Sequence, residues 1–325
     1  FPQLNIAEVV MKSFSRVSTG IKGLDRVLGH LQTGDNVVLQ VDSIEDYQSF
    51  IMPFVREALA NNERVVYMRF ARHAPLLEET RKIAVYKLNP DAGFESFSTQ
   101  VHNIIRQEGR DVFYVFDSLS DLLLAWATDL MIGNFFVITC PYLFELNTVA
   151  YFALLRGRHS FKTVARIRET TQVLLDVYSF EGKTCVHPLK CWQRYSPTMF
   201  LPHIREDETF IPIMNSVDAT RLFAALADRS TVDAERHLDY WDRIFLKARE
   251  LAGDDTAAED KRELVDQLSR VLIGREKRIL SLVKEYFTLQ DILEIKDRLI
   301  GTGFIGGKSV GMLLARNILR RDRDF

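Results

Sequence analysis

The sequence is poor in the features that mark secreted, membrane-spanning and nucleic-acid-binding proteins. Its 325 residues include only three cysteines, and the formal net charge is −2. A small, odd number of cysteines predicts reduced thiols and a cytoplasmic protein instead of a disulfide framework. The lack of a basic excess argues against nucleic acid as a partner. The sequence also has no apolar run of about 18 residues, so no membrane span is predicted. We therefore expect an ordinary globular protein without a membrane or nucleic-acid partner.

Glycine is also missing from a junction where many nucleotide-binding proteins have it. Residues 37–50 read VVLQVDSIEDYQSF, an apolar strand followed by a polar turn and a helical pattern. In the phosphate loop G-x-x-x-x-G-K-[ST], backbone N–H groups wrap around the phosphates and the lysine reaches the terminal ones. In that register, Asp42 and Tyr47 replace the glycines, Gln48 replaces the lysine, and only the hydroxyl position is kept, as Ser49. Nearby carboxylates would repel a nucleotide tail as well, so this loop is predicted not to bind ATP.

Residues up to about 205 alternate apolar runs with helical patterns, which predicts an α/β fold. Four runs rich in Val, Phe and Tyr are predicted strands: 36–41, 64–70, 111–117 and 135–140. Four helical patterns are predicted helices: 45–61, 94–108, 119–131 and 143–156. The near-continuous hydrophobicity of the strands is typical of a mainly parallel sheet that is covered on both faces.

The pattern changes towards the end of this region. Over residues 172–193, two extended runs flank Glu181-Gly182-Lys183, which predicts a hairpin. From about residue 206 onwards the patterns are mostly helical, and Thr288 followed by Asp291 predicts a helix N-terminus.

The stretch CVHPLKC raises the question of a metal site. If it is a strand, Cys185, His187 and Cys191 lie on one face, because side chains there repeat every two residues. Zinc usually takes four ligands, and no fourth candidate is close in sequence. We therefore expect core packing at these positions and no metal.

Two motifs flank the junction that lacks glycine. Residues 18–25 read STGIKGLD, and residues 111–123 read DVFYVFDSLSDLL, an apolar run that ends in Asp117 and Ser118. An aspartate at the end of such a strand is the Walker-B position, which holds Mg²⁺ and its water. Together the motifs resemble the KaiC-like branch of the RecA-type ATPases over about residues 16–205.

This resemblance implies a RecA-like, P-loop NTPase-type sheet with a C-terminal hairpin. Because the phosphate loop lacks its glycines and lysine, the resemblance implies a degenerate domain in which Ser49 and Asp117 mark a vestigial nucleotide site without metal. Members of this branch often direct a basic residue after the hairpin towards a neighbouring subunit, and Lys190 and Arg194 lie in that region. RecA-like folds also often form rings, so a homo-oligomer is expected.

A second glycine-rich stretch, LIGTGFIGGKSVGMLLA, covers residues 299–315. It fits the dinucleotide pattern G-x-G-x-x-G, but a helical pattern precedes it where a strand is required. It also fits G-x-S-x-G, but no histidine follows His237 to complete that kind of site. As a Walker A motif it fails, because Thr302 stands where the first glycine belongs. What remains is a glycine loop and a lysine at a helix start, which is a favourable anion site.

The run Gly306-Gly307-Lys308 and its lead-in resemble the start of the ATP-binding domain of phosphoenolpyruvate synthase and pyruvate phosphate dikinase, the PEP/pyruvate-binding enzymes. The resemblance covers about residues 286–325. It implies that Lys308 contacts ATP phosphates and that Gly306 and Gly307 form the loop. It also implies that a longer protein uses ATP and Mg²⁺ to make phosphoenolpyruvate from pyruvate, with its downstream catalytic domains as partners of this region.

The two resemblances divide the chain into three parts. Residues 1–205 form a degenerate KaiC/RecA-like domain, 206–287 a helical connector, and 288–325 the truncated start of an ATP-grasp-like domain. We expect no catalytic residue in this part of the protein, and a regulatory or scaffolding role for the phosphotransferase to which it is attached. Two alternatives stay open: a stand-alone interaction or oligomerisation protein on an inactive ATPase fold, and a divergent active ATPase.

Overall fold

A computed structural model of the chain describes residues 14–126, 128–229, 240–252, 258–274, 276–300 and 304–321. Within these ranges, none of the helices combines the length and the apolar character needed to cross a membrane.

The described residues contain a small antiparallel ribbon and a nine-stranded sheet. The ribbon pairs β1 (Arg16–Val17) with β2 (Leu31–Gln32). The strands of the large sheet are β3 (Asn36–Val41), β4 (Val65–Arg69), β5 (Ile83–Lys87), β6 (Phe113–Ser118), β7 (Val149–Leu155), β8 (Val173–Phe180), β9 (Lys183–Cys191), β10 (His203–Glu206) and β11 (Thr209–Pro212). Their spatial order is β11-β10-β9-β8-β3-β7-β6-β4-β5. From β8 to β5 all neighbours are parallel, whereas β8 to β11 pair antiparallel.

Helices cover this sheet and continue beyond it. Those interleaved with the strands are α1 (Lys22–Leu28), α2 (Ile44–Ala60), α3 (Phe94–Glu108), α4 (Leu130–Glu145) and α5 (Phe161–Thr170). Short 3₁₀ turns occur at Pro90–Ala92 and Leu119–Leu124. Those that follow the sheet are α6 (Ser216–Arg229), α7 (Tyr240–Ala252), α8 (Ala258–Leu272), α9 (Lys277–Tyr286), α10 (Leu289–Arg298) and α11 (Gly307–Arg321).

The parallel strands are buried on both faces. In β3, Val38 belongs to one core cluster while Val37 and Leu39 belong to another. The first cluster continues into the later helices, where it includes Trp241 and Ile292. The prediction of a mainly parallel α/β sheet is confirmed. The strands are unbroken apolar runs because both of their faces are buried.

One predicted strand is wrong, and two predicted helices are wrong over most of their length. Residues 119–131, predicted as a helix, form a 3₁₀ turn at Leu119–Leu124 and reach α4 only at Leu130. Residues 135–140, predicted as a strand, lie inside α4, and residues 149–155, predicted as helical, form β7. The α4 helix is buried along much of its length, at Phe135, Phe136 and Cys140 among others. A short, continuous apolar run cannot be assigned to helix or strand by periodicity, and in α4 even the exposed Val137 and Ile138 are apolar.

The hairpin is confirmed, and a second one follows it. β8 and β9 are joined through Glu181 and Gly182, whose φ angles are +50° and +75°. These left-handed angles are what a tight two-residue turn requires. The second hairpin, β10–β11, turns at Asp207 and extends the sheet past residue 205, which the sequence patterns did not predict.

Candidate functional site

The junction after β3 lies at the carboxyl edge of the parallel sheet. β3 sits between β7 and β8. From β3 the chain passes through α2 to β4, and from the neighbouring β7 it passes through α5 to β8, in the opposite direction along the sheet. In open parallel sheets this reversal leaves a crevice at the carboxyl ends, where ligands usually bind. The position is therefore right for a nucleotide site, and the side chains there decide what it can hold.

The first turn of α2 is closed by its own side chains. Ser43 is the N-cap, and its Oγ accepts a hydrogen bond of 3.2 Å from the backbone N–H of Asp46. In return, Asp46 Oδ2 accepts from the backbone N–H and the hydroxyl of Ser43, at 3.1 and 2.9 Å. A helix N-terminus attracts anions because of its free N–H groups and its dipole. Here a carboxylate of the protein already takes that place.

Asp42, at the position of the first missing glycine, is held in an ion-pair cluster. Arg156, which follows β7, donates from Nε to Asp42 Oδ1 at 2.6 Å, and its Nη1 lies 2.6 Å from Asp176 Oδ1 on β8. It also donates to the carbonyl of Val177 at 2.8 Å. Burial raises the pKa of Asp176, against the opposing effect of Arg156. The arginine thus links three neighbouring strands, through the ends of β7 and β3 and the middle of β8, and pairs with the charge of Asp42.

Tyr47 and Ser49 also have partners within the protein. Tyr47, at the second glycine position, is fully buried, and its hydroxyl donates to the carbonyl of Phe116 at 2.9 Å. Burial raises its pKa well above the ordinary value. The exposed Ser49 donates its hydroxyl to the carbonyl of Asp46, one turn earlier, at 2.7 Å. Neither side chain is directed at a ligand.

Asp117 is a buried acceptor for groups at the end of β4. Its side chain is fully buried, and both carboxylate oxygens accept hydrogen bonds. The donors are Tyr67 through its hydroxyl, Arg69 through Nη1 at 2.7 Å, and the backbone N–H groups of Phe70 and Ala71, each at 2.7 Å. His73 Nε2 lies 3.6 Å from Oδ1. Three of these donors contact Oδ2 and one contacts Oδ1, and the whole carboxylate is closed off from solvent, so Asp117 does not fit a Mg²⁺ site.

The STGIKGLD motif is held together by its own aspartate. Asp25 accepts from the Ser18 hydroxyl at 2.6 Å and from the Thr19 backbone N–H at 2.7 Å. Gly20 has a φ of +75°, and a Cβ there would lie 2.2 Å from the carbonyl oxygen of Pro53 in α2. The motif therefore fixes the segment before α1 against the helix that follows the degenerate loop.

The two basic residues near the hairpin are engaged within this chain. Lys190 donates to the carbonyls of Arg168 and Glu169 at the end of α5, at 2.8 and 2.9 Å. Arg194 is buried and pairs with Asp35 at 2.8 Å. Burial raises the pKa of Asp35, although the guanidinium of Arg194 opposes this shift.

The three residues of CVHPLKC do not share one face. A register shift between Leu174 and Leu175 leaves Leu189 without a direct partner on β8. As a result Cys185 packs in a small cluster with Leu222 of α6, while Cys191 packs in the core on the other side. The expectation of one face was wrong because a bulge breaks the two-residue period. Among the described residues, no group of three or more His, Cys, Asp or Glu side chains is arranged to hold a metal ion.

The C-terminal glycine loop belongs to the helical region. The backbone N–H of Ile305 donates to the carbonyl of Leu272 at the end of α8, at 2.8 Å. Gly306 and Gly307 face open space, and the exposed Lys308 lies in the first turn of α11. Residues 301–303, which include Thr302, lie outside the described part of the chain. The exposed helix start and the lysine suit a phosphate chemically.

The chain matches no protein-family model and no curated protein sequence. Both resemblances therefore rest on their motifs.

The donors to Asp117 could not be found from sequence patterns. They come from β4 and the loop after it, at least 46 residues earlier in the chain. Only the parallel pairing of β4 with β6 brings them together.

Proposed function

We propose that this chain is a regulatory or scaffolding region of a cytoplasmic, ATP-dependent phosphotransferase similar to phosphoenolpyruvate synthase. Its first part is a RecA-like domain that does not bind ATP. ATP and Mg²⁺ serve the downstream catalytic domains, and Lys308, with Gly306 and Gly307, marks the start of the domain that holds them. The mainly parallel sheet followed by the β8–β9 hairpin supports the RecA-like part of this proposal.

The observation that carries the proposal is the burial of Asp117 among hydrogen-bond donors of the protein. A Walker-B carboxylate must keep lone pairs for Mg²⁺ and its water. Asp117 instead accepts from a guanidinium, a phenol and two backbone N–H groups within a fully buried setting. The capping box of Ser43 and Asp46 at the start of α2 also argues against a bound phosphate.

Calorimetric titration with Mg-ATP tests the inactive site. Because Lys308 could bind ATP by itself, the titration uses both the original chain and Lys308→Met. We expect no binding tighter than about 1 mM in Lys308→Met, which corresponds to about 4 kcal/mol of binding free energy. Tight binding that survives Lys308→Met, and that is lost in an Asp117→Ala protein shown by circular dichroism to be folded, would support the divergent ATPase instead.

Reading the gene beyond Phe325 tests the phosphotransferase part. We expect an ATP-grasp continuation followed by a domain with a catalytic histidine, and conversion of pyruvate and ATP to phosphoenolpyruvate by the full-length protein. If neither domain follows, this part of the proposal is wrong.

A second candidate is a stand-alone interaction protein on the same inactive fold. It is favoured by large apolar side chains exposed beside the last strands, including Met214 at 76% and Val217 at 62%. Exposed apolar surface commonly marks a protein–protein contact when it is contiguous.

A further inference from the structure

A cavity of about 340 Å³ lies between the segment before α1, the middle of α2 and the β10–β11 hairpin. It shares no residue with the degenerate phosphate loop or with the glycine loop at Lys308. Its volume is at the small end of ligand pockets and suits a molecule about the size of an amino acid. The lining includes Gly20, Pro53, Arg56, Glu57, Arg205 and Glu208.

One face of α2 forms the first side of this cavity. Arg56 and Glu57 lie three and four residues after Pro53, a spacing that places side chains next to each other on a helix. Gly20 approaches α2 at the same turn, since a Cβ at Gly20 would lie 2.2 Å from the carbonyl oxygen of Pro53 and 2.8 Å from the backbone nitrogen of Phe54. The segment before α1 therefore lies beside Arg56 and Glu57.

The β10–β11 hairpin forms the second side and directs Arg205 towards α1. Arg205 and Phe210 are direct partners across the two strands, so their side chains lie on the same face of the hairpin. Phe210 is buried, and a Cβ at Gly23 of α1 would lie 3.0 Å from its ring. Arg205 is therefore on the face of the hairpin that meets α1, where the cavity lies.

The two arginines of the lining keep their terminal NH₂ groups without a partner among the described residues. Arg56 makes one hydrogen bond there, from Nε to the carbonyl of Met52 at 3.4 Å. Arg205 also makes one, from Nε to the carbonyl of Asp207 at 3.1 Å. Two guanidinium groups with free donors on one cavity suit a carboxylate, which accepts charge-assisted hydrogen bonds from such groups.

The two glutamates of the lining are not paired with these arginines. Glu57 accepts one hydrogen bond, from the side-chain amide of Asn61 at 3.3 Å. The exposed side chain of Glu208 accepts none from the described residues. An anion without a positive group would be repelled by the glutamates, and a cation without a negative group would be repelled by the arginines. A molecule that carries both charges finds a partner for each.

We propose that this cavity binds a zwitterion, namely an α-amino acid with an uncharged side chain. The carboxylate of the ligand accepts from the terminal NH₂ groups of Arg56 and Arg205, and its ammonium group donates to the carboxylates of Glu57 and Glu208. The site does not depend on ATP binding at Lys308, and it stands whether or not the protein is a phosphotransferase.

Ligand-observed NMR titrations at neutral pH with three probes test the site. L-Alanine carries both charged groups and almost no side chain, propionate lacks the ammonium group, and ethylamine lacks the carboxylate. We expect L-alanine to bind about tenfold more tightly than either of the other two, because each of them loses one set of charge-assisted hydrogen bonds. Equal binding of L-alanine and propionate, or no measurable binding of L-alanine, would overturn the proposal.

Two variants and a matched control locate the binding. Arg56→Met and Glu57→Gln each remove one charge from the cavity, and each is expected to weaken L-alanine binding about tenfold. Arg26→Met removes an exposed arginine of α1 that does not line the cavity, so it should leave the binding unchanged. Circular dichroism should show all three variants to be folded, because none of these side chains is buried. Unchanged L-alanine binding in both Arg56→Met and Glu57→Gln would exclude this cavity as the site.

Discussion

At the scale of single residues, one aspartate changes the meaning of the sequence pattern around it. By its position at the end of β6, Asp117 matches the residue that holds Mg²⁺ in ATPases. By its contacts, it joins the end of β6 to the end of β4 and the loop that follows. A buried carboxylate with charge-assisted bonds contributes to stability only while its partners are present.

Asp117→Ala is therefore expected to destabilise the fold. It leaves the guanidinium of Arg69 and two backbone N–H groups without their acceptor, so the free energy of unfolding should fall by about 3–5 kcal/mol. Urea denaturation followed by circular dichroism measures the change. Asp218→Ala, at an exposed position in the first turn of α6, is the control and should cost less than about 1 kcal/mol. Comparable losses in both variants would contradict the role assigned to Asp117.

A buried histidine makes a separate prediction about pH. His159 is 8% exposed, and its Nε2 lies 2.7 Å from the hydroxyl oxygen of Ser120. Burial, together with the nearby charges of Arg243 and Arg158, lowers its pKa to about 3. Between that value and its ordinary pKa of about 6.5, the unfolded chain binds a proton at this residue and the folded chain does not. Lowering the pH through this window therefore favours unfolding.

His159→Gln should reduce this pH dependence. From pH 7 to pH 5, the original chain should lose about 2 kcal/mol more unfolding free energy than the variant, because the variant takes up one proton less when it unfolds. Urea denaturation at each pH gives both values. Parallel pH profiles for the two proteins would show that His159 is not held neutral in the fold.

At the scale of elements, the start of α2 is built for a helix cap and not for a phosphate. The reciprocal bonds of Ser43 and Asp46 satisfy the N–H groups that a phosphate loop leaves free. The ring of Tyr47 is buried behind this turn, and its hydroxyl donates to the carbonyl of Phe116 on β6.

Restoring the loop pattern should not restore binding. Asp42→Gly, Tyr47→Gly and Gln48→Lys together recreate G-x-x-x-x-G-K-S, yet Asp117 and the Ser43–Asp46 cap remain. We expect no Mg-ATP binding tighter than about 1 mM by calorimetry, and a loss of stability of about 3–5 kcal/mol from removal of the buried Tyr47 ring. Tight binding by the triple variant would mean that the loop residues alone prevent nucleotide binding.

The elements themselves were predictable to different degrees. The strand at 36–41 and the helix at 94–108 have the predicted bounds, since turn residues flank the strand and a clear helical period marks the helix. The helix N-terminus predicted at Thr288 and Asp291 is also confirmed, and the structure shows a capping box there. The assignments at 135–140 and 149–155 failed because a continuous apolar run carries no period. β7 is buried on both faces, and α4 has apolar residues even at exposed positions such as Val137 and Ile138.

At the scale of the whole molecule, side-chain chemistry depends on strand order, which local patterns do not give. The bond between Arg156 and Asp42 spans 114 residues and requires β3 and β7 to be neighbours. The flanking motifs predict where the candidate site lies, but they do not predict the ion pairs and hydrogen bonds that occupy it.

The exposed apolar surface beside β11 predicts self-association. Met214 and Val217 are large, exposed and close in sequence, and covering them would remove apolar area from water. Sedimentation velocity should show a larger species for the original chain at high concentration and a monomer for Met214→Asp/Val217→Asp. Phe161→Asp, which changes a side chain that is 70% exposed on α5, is the control and should leave the assembly unchanged. A monomer at every concentration for the original chain would remove the support for an oligomer.

The network around Asp117 bears on how natural selection acts at this position. An aspartate that holds two strand ends together is retained for folding, whether or not any descendant of the protein uses a nucleotide. Its presence in related sequences would then record a requirement for stability and would carry no information about hydrolysis. Changes at Tyr67 and Arg69 should accompany any change at Asp117, so the evolutionary signature of this site is covariation between two neighbouring strands.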